Sequence, residues 1–321
     1  ISRAWHALLS RLPEVRGRSM IYLLTGDSFL IDQKILEIKN EFLQKYPDGL
    51  VENVDGEDSS LPYVTELVSS TSLFSQNKLV VIKRLGNNKQ LAPQIEQIFE
   101  KIVDTVGLVL IDPKPDKRSS YYKFLKSNKN INHIDAKLDN VANWIQGEVK
   151  SLGGNISGGE VQYLIDKTGP DPSLLYFELR KLVALDPKIT KENIDKLVQT
   201  SFMSSIFDLV NAIFEHDKKK AMSLYEQQHF LGTQPIAIIG MIAWQLHLFA
   251  LIKSTNKSTS EISSQSKISA YALDRSASVT KNLDLADINQ MIQSLLELDH
   301  KAKTSSIDID EALKNWILLQ T

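Results

Sequence analysis

Five short apolar runs alternate with amphipathic stretches along the first part of the chain. The runs, at residues 21–24, 50–54, 79–82, 108–111 and 131–134, have the length and composition of buried strands. The stretches between them carry apolar side chains at helical spacing and predict helices over 30–45, 61–69, 94–103 and 119–127. Strands that alternate with helices form parallel sheets covered on both faces, so this part predicts an α/β domain with five parallel strands.

From residue 139 onward the pattern becomes entirely helical. Glycine and proline breakers separate four short predicted helices, at 141–152, 160–167, 173–184 and 191–198. Thr190 and Asn193 suit a cap before the fourth of them. Apolar stripes predict longer helices beyond residue 202, around a polar Ser/Thr-rich loop at 256–266. The predicted fold class is therefore α/β plus all-α: a five-stranded parallel sheet domain, a small helical domain and a helical bundle.

Composition narrows the class of protein. Apolar residues make up 42% and charged residues 24% of the 321 residues, which is ordinary for a globular protein. The chain has no cysteine, which excludes disulfides, thiolate zinc sites and thiol nucleophiles. A formal net charge of −2 argues against a dominant basic surface for DNA. The longest apolar candidate, 235–252, is interrupted by Gly240, Gln245 and His247, so no membrane span is predicted.

The first 19 residues differ in composition from the rest of the chain. They hold four of the eight arginines and none of the 29 lysines. A vector-encoded or mistranslated leader fused to a lysine-rich gene would produce this shift, although an Arg-rich start also mimics a transit peptide. We expect residues 1–19 to be a non-native leader and Met20 to be the natural start.

The first strand, turn and helix have the form of a nucleotide-binding motif without its phosphate-binding residues. The turn is Thr-Gly-Asp-Ser at residues 25–28, whereas a phosphate loop ends in Gly-Lys-Ser/Thr, which the chain lacks. Asp27 at the mouth of this turn would repel a triphosphate. Asp112 follows an apolar run like a Mg²⁺ ligand, but Pro113 replaces the second acidic residue that water activation needs. We therefore interpret Asp112 as a turn residue.

The local sequences in this framework resemble those of one family. The order of an α/β domain, a small helical domain and a helical bundle resembles a clamp-loader subunit of the AAA+ class. Within that class, five segments are similar to the delta subunit of bacterial DNA polymerase III. These segments are Tyr-Leu-Leu-Thr-Gly-Asp at 22–27, Ser-Leu-Phe at 72–74, residues 174–182, Ile-Phe-Asp-Leu-Val at 206–210 with Pro-Ile at 235–236, and residues 295–303. The related motor subunits carry a four-cysteine zinc module, which this chain cannot form.

The resemblance implies a domain organisation and a function. It implies an AAA+-like domain at 20–138, a small helical lid domain at 139–201 and a helical collar domain for oligomerisation at 202–321. Delta subunits have no working ATP site, so neither catalysis nor a cofactor is expected. The implied function is to bind the sliding clamp, or beta subunit, and to open its ring for loading onto primed DNA. The other implied partners are the gamma/tau ATPase subunits, delta-prime and primer–template DNA, in the cytoplasm and away from membranes.

Ser72, Leu73 and Phe74 are the candidate clamp-binding residues. Polar runs flank them on both sides. From the residues alone, Leu73 and Phe74 are either the inward-packed end of a helix or an exposed anchor, and burial is the commoner fate of such side chains. The resemblance favours the anchor, because these positions match the family's wedge that enters a hydrophobic pocket on the clamp.

A basic segment with interleaved aromatic residues is the candidate nucleic-acid contact. Residues 114–129 hold five lysines and one arginine against a single acidic residue, and the candidate contacts are Lys117, Arg118, Lys123 and Lys126. The commoner interpretation is a solvated helix face whose Tyr122 and Phe124 point inward. No closely spaced histidine pair and no G-x-S-x-G elbow occurs, so neither a metal site nor a nucleophilic enzyme is predicted.

The sequence alone is also compatible with two other functions. An active AAA+ ATPase or helicase loader with a degenerate phosphate loop would bind nucleotide. A DNA-binding module that uses the basic segment would bind DNA with an affinity that falls steeply with salt.

Overall fold

The computed structural model describes residues 20–70, 75–266, 268–281 and 283–321. The chain forms two compact units, the first ending at Ser151 and the second running from Leu152 to Thr321. The helix at Val141–Ser151 belongs to the first unit, so the segment predicted as a lid domain at 139–201 contributes to both. The division into three domains stays a prediction.

The first unit contains the predicted sheet. Its strands lie in the order β2-β3-β4-β1-β5, and every pair of neighbours is parallel. The strands are β1 (Ile21–Gly26), β2 (Leu50–Asp55), β3 (Lys78–Lys83), β4 (Val106–Ile111) and β5 (Asn132–Ala136). Each begins or ends within two residues of its predicted position, because the apolar run that buries a strand also defines its length.

Helices cover both faces of this sheet. Alternate residues of β1 point to opposite faces, so Leu23 packs with Val64 and Leu125 while Leu24 packs with Ile31 and Phe42. One face is thus covered by α1 and the other by α2, α3 and α4. The helices of the first unit are α1 (Ser28–Lys45), α2 (Leu61–Ser69), α3 (Ile95–Glu100), α4 (Ser120–Ser127) and α5 (Val141–Ser151), with single 3₁₀ turns at Leu85–Asn87 and Ala92–Gln94.

The second unit is built from helices in its described residues, with one isolated parallel bridge between Asn155 and Lys188. Three short helices precede the bundle: α6 (Gly158–Thr168), α7 (Pro172–Leu185) and α8 (Lys191–Leu197). The remaining helices are α9 (Phe202–Phe214), α10 (Lys218–Phe230), α11 (Pro235–Lys253), α12 (Thr259–Ser266), α13 (Ala270–Thr280), α14 (Leu285–Thr304) and α15 (Ile309–Gln320). The main core lies between α9, α10, α11, α14 and α15. The predicted cap before α8 is confirmed, since the backbone N–H of Asn193 donates to Thr190 Oγ1 at 3.3 Å.

The loop predicted at 256–266 is wrong in its second part, where helix α12 forms. Ser258 and Glu261 cap its start reciprocally: the N–H of Ser258 donates to the Glu261 carboxylate at 2.9 Å, and the N–H of Glu261 donates to Ser258 Oγ at 3.3 Å. Ile262 is buried in a side cluster of the bundle. A cap and one buried side chain therefore outweigh the low helix propensity of the serines.

Helix α11 corrects the expectation that no apolar segment is long enough to cross a membrane. Among the described residues it is the single continuous helix that is long and apolar enough to cross a membrane, with a mean hydropathy of 1.9. Helices α8 and α9 together also meet this criterion, but a bend of 111° separates them. Gly240, Gln245 and His247 do not interrupt it. Its buried side chains pack against the bundle, and a buried core helix passes the same test.

Arg275 joins three helices of the second unit. This side chain of α13 donates to the carbonyl oxygen of Asp166 on α6 at 2.9 Å and to Asp208 on α9 at 2.9 Å. It also donates to Ser204 Oγ at 3.0 Å and lies over the ring of Phe207, 4.7 Å from the centroid. A planar guanidinium can satisfy these acceptors together, whereas an ammonium group cannot.

We expect Arg275→Lys to lower the free energy of unfolding by about 2 kcal/mol, because several partly buried hydrogen bonds are lost together. Arg180→Lys is the matched control. Arg180 is exposed, lies over the ring of Tyr176 and donates to its hydroxyl, so its loss should cost less than about 0.5 kcal/mol. Urea unfolding of both variants measures the difference, and equal losses would contradict the assigned role of Arg275.

Candidate functional site

The junction of β1 and α1 is closed by the chain's own groups. Gly26 has a φ of +109°, and a Cβ there would lie 2.4 Å from the carbonyl oxygen of Ala136. The N–H of Gly26 donates to the carbonyl of Pro113 at 3.0 Å. Asp27 caps α1, since its carboxylate accepts from the N–H of Leu30 at 3.0 Å. A carboxylate therefore occupies the helix N-terminus where a phosphate loop would bind phosphate.

Asp112, at the end of β4, is bonded within the protein. It is buried and accepts from the Tyr121 hydroxyl at 2.5 Å and from the N–H of Gly86 at 3.3 Å. Burial raises the pKa of Asp112 above its ordinary value, and these two hydrogen bonds oppose that rise. Burial, followed by the charge of Asp112, raises the pKa of Tyr121 well above its ordinary value. Among the described residues no group of three or more His, Asp or Glu side chains could hold a metal ion.

Helix α4 carries Lys123 and Lys126 of the basic segment, whereas Lys114, Lys117 and Arg118 precede it. Tyr121 and Leu125 are its buried side chains. Tyr122 and Phe124 are half-buried and pack against the core of the first unit, in agreement with the prediction that they point inward. The ring of Phe124 contacts that of Phe99, with 5.3 Å between the centroids.

The structure does not bring the four basic candidates to one site. Lys117 lines a cleft beside β1 and β5, and Lys126 Nζ lies 2.7 Å from His133 Nδ1. Arg118 pairs with Asp116 at 3.3 Å, and Lys123 is exposed. The same cleft is lined by Thr25, Asp135 and other residues that sequence reasoning missed. The available signal was the alternation of polar and apolar residues in β5, which places His133 and Asp135 on one face.

Ser72, Leu73 and Phe74 lie outside the described residues, which stop at Ser70 and resume at Ser75. The described residues on either side are well anchored. Helix α2 ends at Ser69, and buried Lys78 Nζ lies 3.4 Å from Ser70 Oγ and 3.6 Å from the Glu52 carboxylate. Ser75 Oγ donates to the carbonyl of Asn77 at 2.7 Å. The described residues that flank the candidate segment are thus held by hydrogen bonds beside the β2–β3 side of the sheet.

A cleft of about 780 Å³ lies in the second unit between α6, α8, α9 and α13. Ion pairs form much of its wall, with Lys167 at 2.8 Å from Asp195 and Arg275 at 2.9 Å from Asp208. The hydrogen bond to Asp195 raises the pKa of Tyr163 to about 12. Because these charges neutralise one another and tie the helices together, we assign this cleft a structural role.

Comparisons with known proteins identify one family at both ends of the chain. Residues 22–135 match the family described as DNA polymerase III, delta subunit, and residues 203–320 match the DNA polymerase III delta subunit, C-terminal domain. The "Probable DNA polymerase III subunit delta" of Aquifex aeolicus is 21% identical over 94% of this chain and 91% of its own length. The DNA polymerase III subunit delta of Bacillus subtilis is 20% identical over 93% of this chain and 92% of its own length.

A solved structure shares the whole fold. The Bacillus subtilis DNA clamp loader delta protein superposes with a TM-score of 0.70 at 18% identity, covering 99% of this chain and 98% of that one. The predicted fold class, α/β plus all-α with a five-stranded parallel sheet followed by helices, is thereby confirmed.

The hydrogen bond between Asp112 and Tyr121 predicts how the free energy of unfolding of a Tyr121 variant changes with pH. We expect Tyr121→Phe to lower the free energy of unfolding at neutral pH by about 1–3 kcal/mol, because a buried carboxylate loses its hydroxyl partner. The loss should shrink as the pH falls towards 3.8, the ordinary pKa of the group, because a protonated Asp112 needs no partner for its charge. Urea unfolding at several pH values measures it.

The sign follows from the direction of the pKa shift. When the pKa of a carboxyl group is higher in the folded than in the unfolded protein, the free energy of unfolding falls as the pH rises from the unfolded pKa to the folded pKa. Removal of the Tyr121 hydroxyl raises the folded pKa of Asp112 further, because that hydrogen bond lowers it. In an Asp112→Asn background, Tyr121→Phe should therefore have an effect that does not depend on pH. A pH-dependent effect in that background, or a constant effect with Asp112 present, would contradict this account.

Proposed function

Since the chain belongs to the family of DNA polymerase III delta subunits and is thus a clamp-loader component, we propose that it is the non-catalytic subunit that binds and opens the DNA sliding clamp. The observation that carries this proposal is the Asp27 cap. The sheet has the framework of a nucleotide-binding domain, but the helix N-terminus that would bind phosphate is satisfied by the protein's own carboxylate. Function is then expected to rest on binding energy rather than hydrolysis.

The proposed mechanism is a shift of the clamp's own opening equilibrium. A closed ring and a ring with one open subunit interface are two states of the clamp. A protein that fits the open ring better shifts the population towards it by its difference in affinity alone. ATP-driven movements of partner ATPase subunits would then control access of this chain to the clamp.

Ser72, Leu73 and Phe74 are the proposed wedge. Burial of a Leu and a Phe in a hydrophobic pocket contributes roughly 3–6 kcal/mol before ordering costs. Phe74 has the size of an interface hot spot. The proposal is supported by the resemblance of this segment to the family and by the anchored residues beside it, Ser70, Ser75 and Lys78.

The proposed partners beyond the clamp are the gamma/tau ATPase subunits, delta-prime and primer–template DNA, acting together in the cytoplasm. The helical bundle at 202–321 is the proposed collar that joins them. Its surface offers apolar side chains for such contacts, since Phe230 is 90% exposed, Leu319 82% and Leu231 60%. Exposed apolar side chains of this kind favour association with other chains.

We expect Leu73→Ala/Phe74→Ala to weaken binding of the chain to its cognate sliding clamp by at least about 2 kcal/mol, or roughly thirtyfold. The wild-type chain should bind without ATP. Phe230→Ala/Leu231→Ala is the matched control, because it removes the same two residue types, which are exposed at these positions of the second unit, and should leave clamp affinity unchanged.

Surface plasmon resonance on immobilised clamp measures both pairs, with circular dichroism to verify equal helix content. Equal affinities for wild type and Leu73→Ala/Phe74→Ala would place the anchor elsewhere. Absence of binding by all three proteins would contradict the proposed function itself.

The rival ATPase makes a different prediction about hydrolysis. We expect the chain alone to release no phosphate from Mg²⁺–ATP above background, since Asp27 caps α1 and Asp112 is bonded to Tyr121. A coupled phosphate-release assay with the wild type and Asp112→Asn tests this. Turnover by the wild type that Asp112→Asn abolishes would establish an intrinsic ATPase and contradict the proposal, whereas equal turnover by both would identify a contaminant.

A further inference from the structure

A cleft of about 320 Å³ lies at the carboxyl ends of β1 and β5, within the first unit. Its lining includes Thr25, Lys114, Lys117, Tyr122 and His133. The volume is near the lower end of the range for small-ligand sites, about 300–1,000 Å³. Ligands of open parallel sheets bind at this end of the strands.

The cleft lies on the opposite face of the sheet from α1. In the β1–β5 register, Leu23 is paired with His133 and Thr25 with Asp135, so these side chains share one face. Leu23 packs with the helices α2, α3 and α4, whereas Leu24 packs with α1. The cleft therefore starts beside the β1–α1 turn, where Gly26 lines it, and lies on the face of the sheet away from α1.

A directed chain of hydrogen bonds forms the inner wall. Lys126 Nζ lies 2.7 Å from His133 Nδ1, and because an ammonium group only donates, Nδ1 must accept. His133 Nε2 then carries the ring proton and donates to Thr25 Oγ1 at 3.0 Å, and the Thr25 hydroxyl donates to Asp135 at 3.4 Å. Burial first, and then the charge of Lys126, lowers the pKa of His133, in agreement with this neutral ring. These hydrogen bonds pair Lys126 with His133 and fix the orientation of the imidazole ring.

The remaining cations of the cleft have no such partner. Lys114 and Lys117 are exposed, and no described carboxylate lies within ion-pairing distance of either. Asp135, the acidic residue of the wall, accepts from Thr25 and lies 3.8 Å from Lys137. Two unpaired ammonium groups beside the half-buried aromatic ring of Tyr122 form an environment suited to a phosphate group attached to a planar base.

We propose that this cleft binds a phosphate group, carried by a DNA strand or by a free nucleotide, with Lys114 and Lys117 as its cationic ligands. Of the four candidate nucleic-acid contacts predicted from the sequence, Lys117 remains a ligand in this proposal, and Lys126 instead positions His133. Lys123 lies outside the cleft lining, and Arg118 is paired with Asp116. The site does not involve the residues proposed to bind the clamp, so its loss should leave clamp affinity unchanged.

The test compares two double variants of the full chain that remove the same charge. Lys114→Gln/Lys117→Gln removes the ligands of the cleft, and Lys123→Gln/Lys129→Gln removes two other exposed lysines of the same segment. Fluorescence anisotropy measures the affinity for a labelled 5′-phosphorylated oligothymidylate of about 12 nucleotides at about 50 mM salt. Unlabelled dAMP and inorganic phosphate serve as competitors.

We expect the cleft variant to bind the oligonucleotide at least about tenfold more weakly than wild type, and the control variant less than about threefold more weakly. The slope of log affinity against log salt should fall by about 1.4 in the cleft variant, which corresponds to two lost phosphate contacts on a single strand. If dAMP competes with the oligonucleotide for the wild-type chain and not for the cleft variant, the cleft is a free-nucleotide site. If dAMP does not compete with the oligonucleotide for the wild-type chain, the ligand of the cleft is the strand backbone. Equal weakening in both variants, or binding of none of the three probes, would overturn the proposal.

Discussion

The hydrogen bond from the backbone N–H of Leu30 to the carboxylate of Asp27 decides what the first unit can do. The N-terminus of a helix presents unpaired N–H groups and a partial positive charge, and nucleotide-binding folds use it for phosphate. Here the same groups are satisfied by a negative side chain. Gly26 adds to the closure, because its positive φ and close approach to Ala136 hold the turn in a conformation that ordinary side chains resist. The turn thus keeps the form of a nucleotide-binding motif while the protein's own carboxylate occupies the helix N-terminus.

The other polar groups of the first unit agree with that role. Asp112 stands at the end of β4, where a Mg²⁺ ligand would be expected, but Tyr121 and Gly86 hold it in the interior. Lys114 and Lys117 are exposed and line the cleft beside the carboxyl ends of β1 and β5, on the face of the sheet away from α1. We therefore propose that the first unit recognises its partners through surfaces around the sheet, while the buried pair of Asp112 and Tyr121 contributes stability. The helices of the second unit are held by similar means, with Arg275 at their junction.

Local patterns predicted the elements better than they predicted long-range contacts. The five strands were predictable because each is one apolar run between turn residues. Helix α12 was not, because its stability depends on the reciprocal cap of Ser258 and Glu261 within a serine-rich segment. The cleft was not predictable either, since Thr25 meets His133 only through the register of β1 and β5, 108 positions apart in the chain. By contrast, the position of Asp27 at the mouth of the turn was enough to predict that it opposes binding of a triphosphate.

We propose that binding energy, expressed as a difference in affinity between two states of the clamp, replaces catalysis in this chain. Calorimetry of the chain with an intact cognate clamp, and with a clamp whose subunit interface has been disrupted by mutation, measures that difference directly. The account predicts tighter binding to the disrupted clamp, because no energy is then needed to open the ring. Equal affinity for both would show that the chain does not favour the open state and would contradict the account.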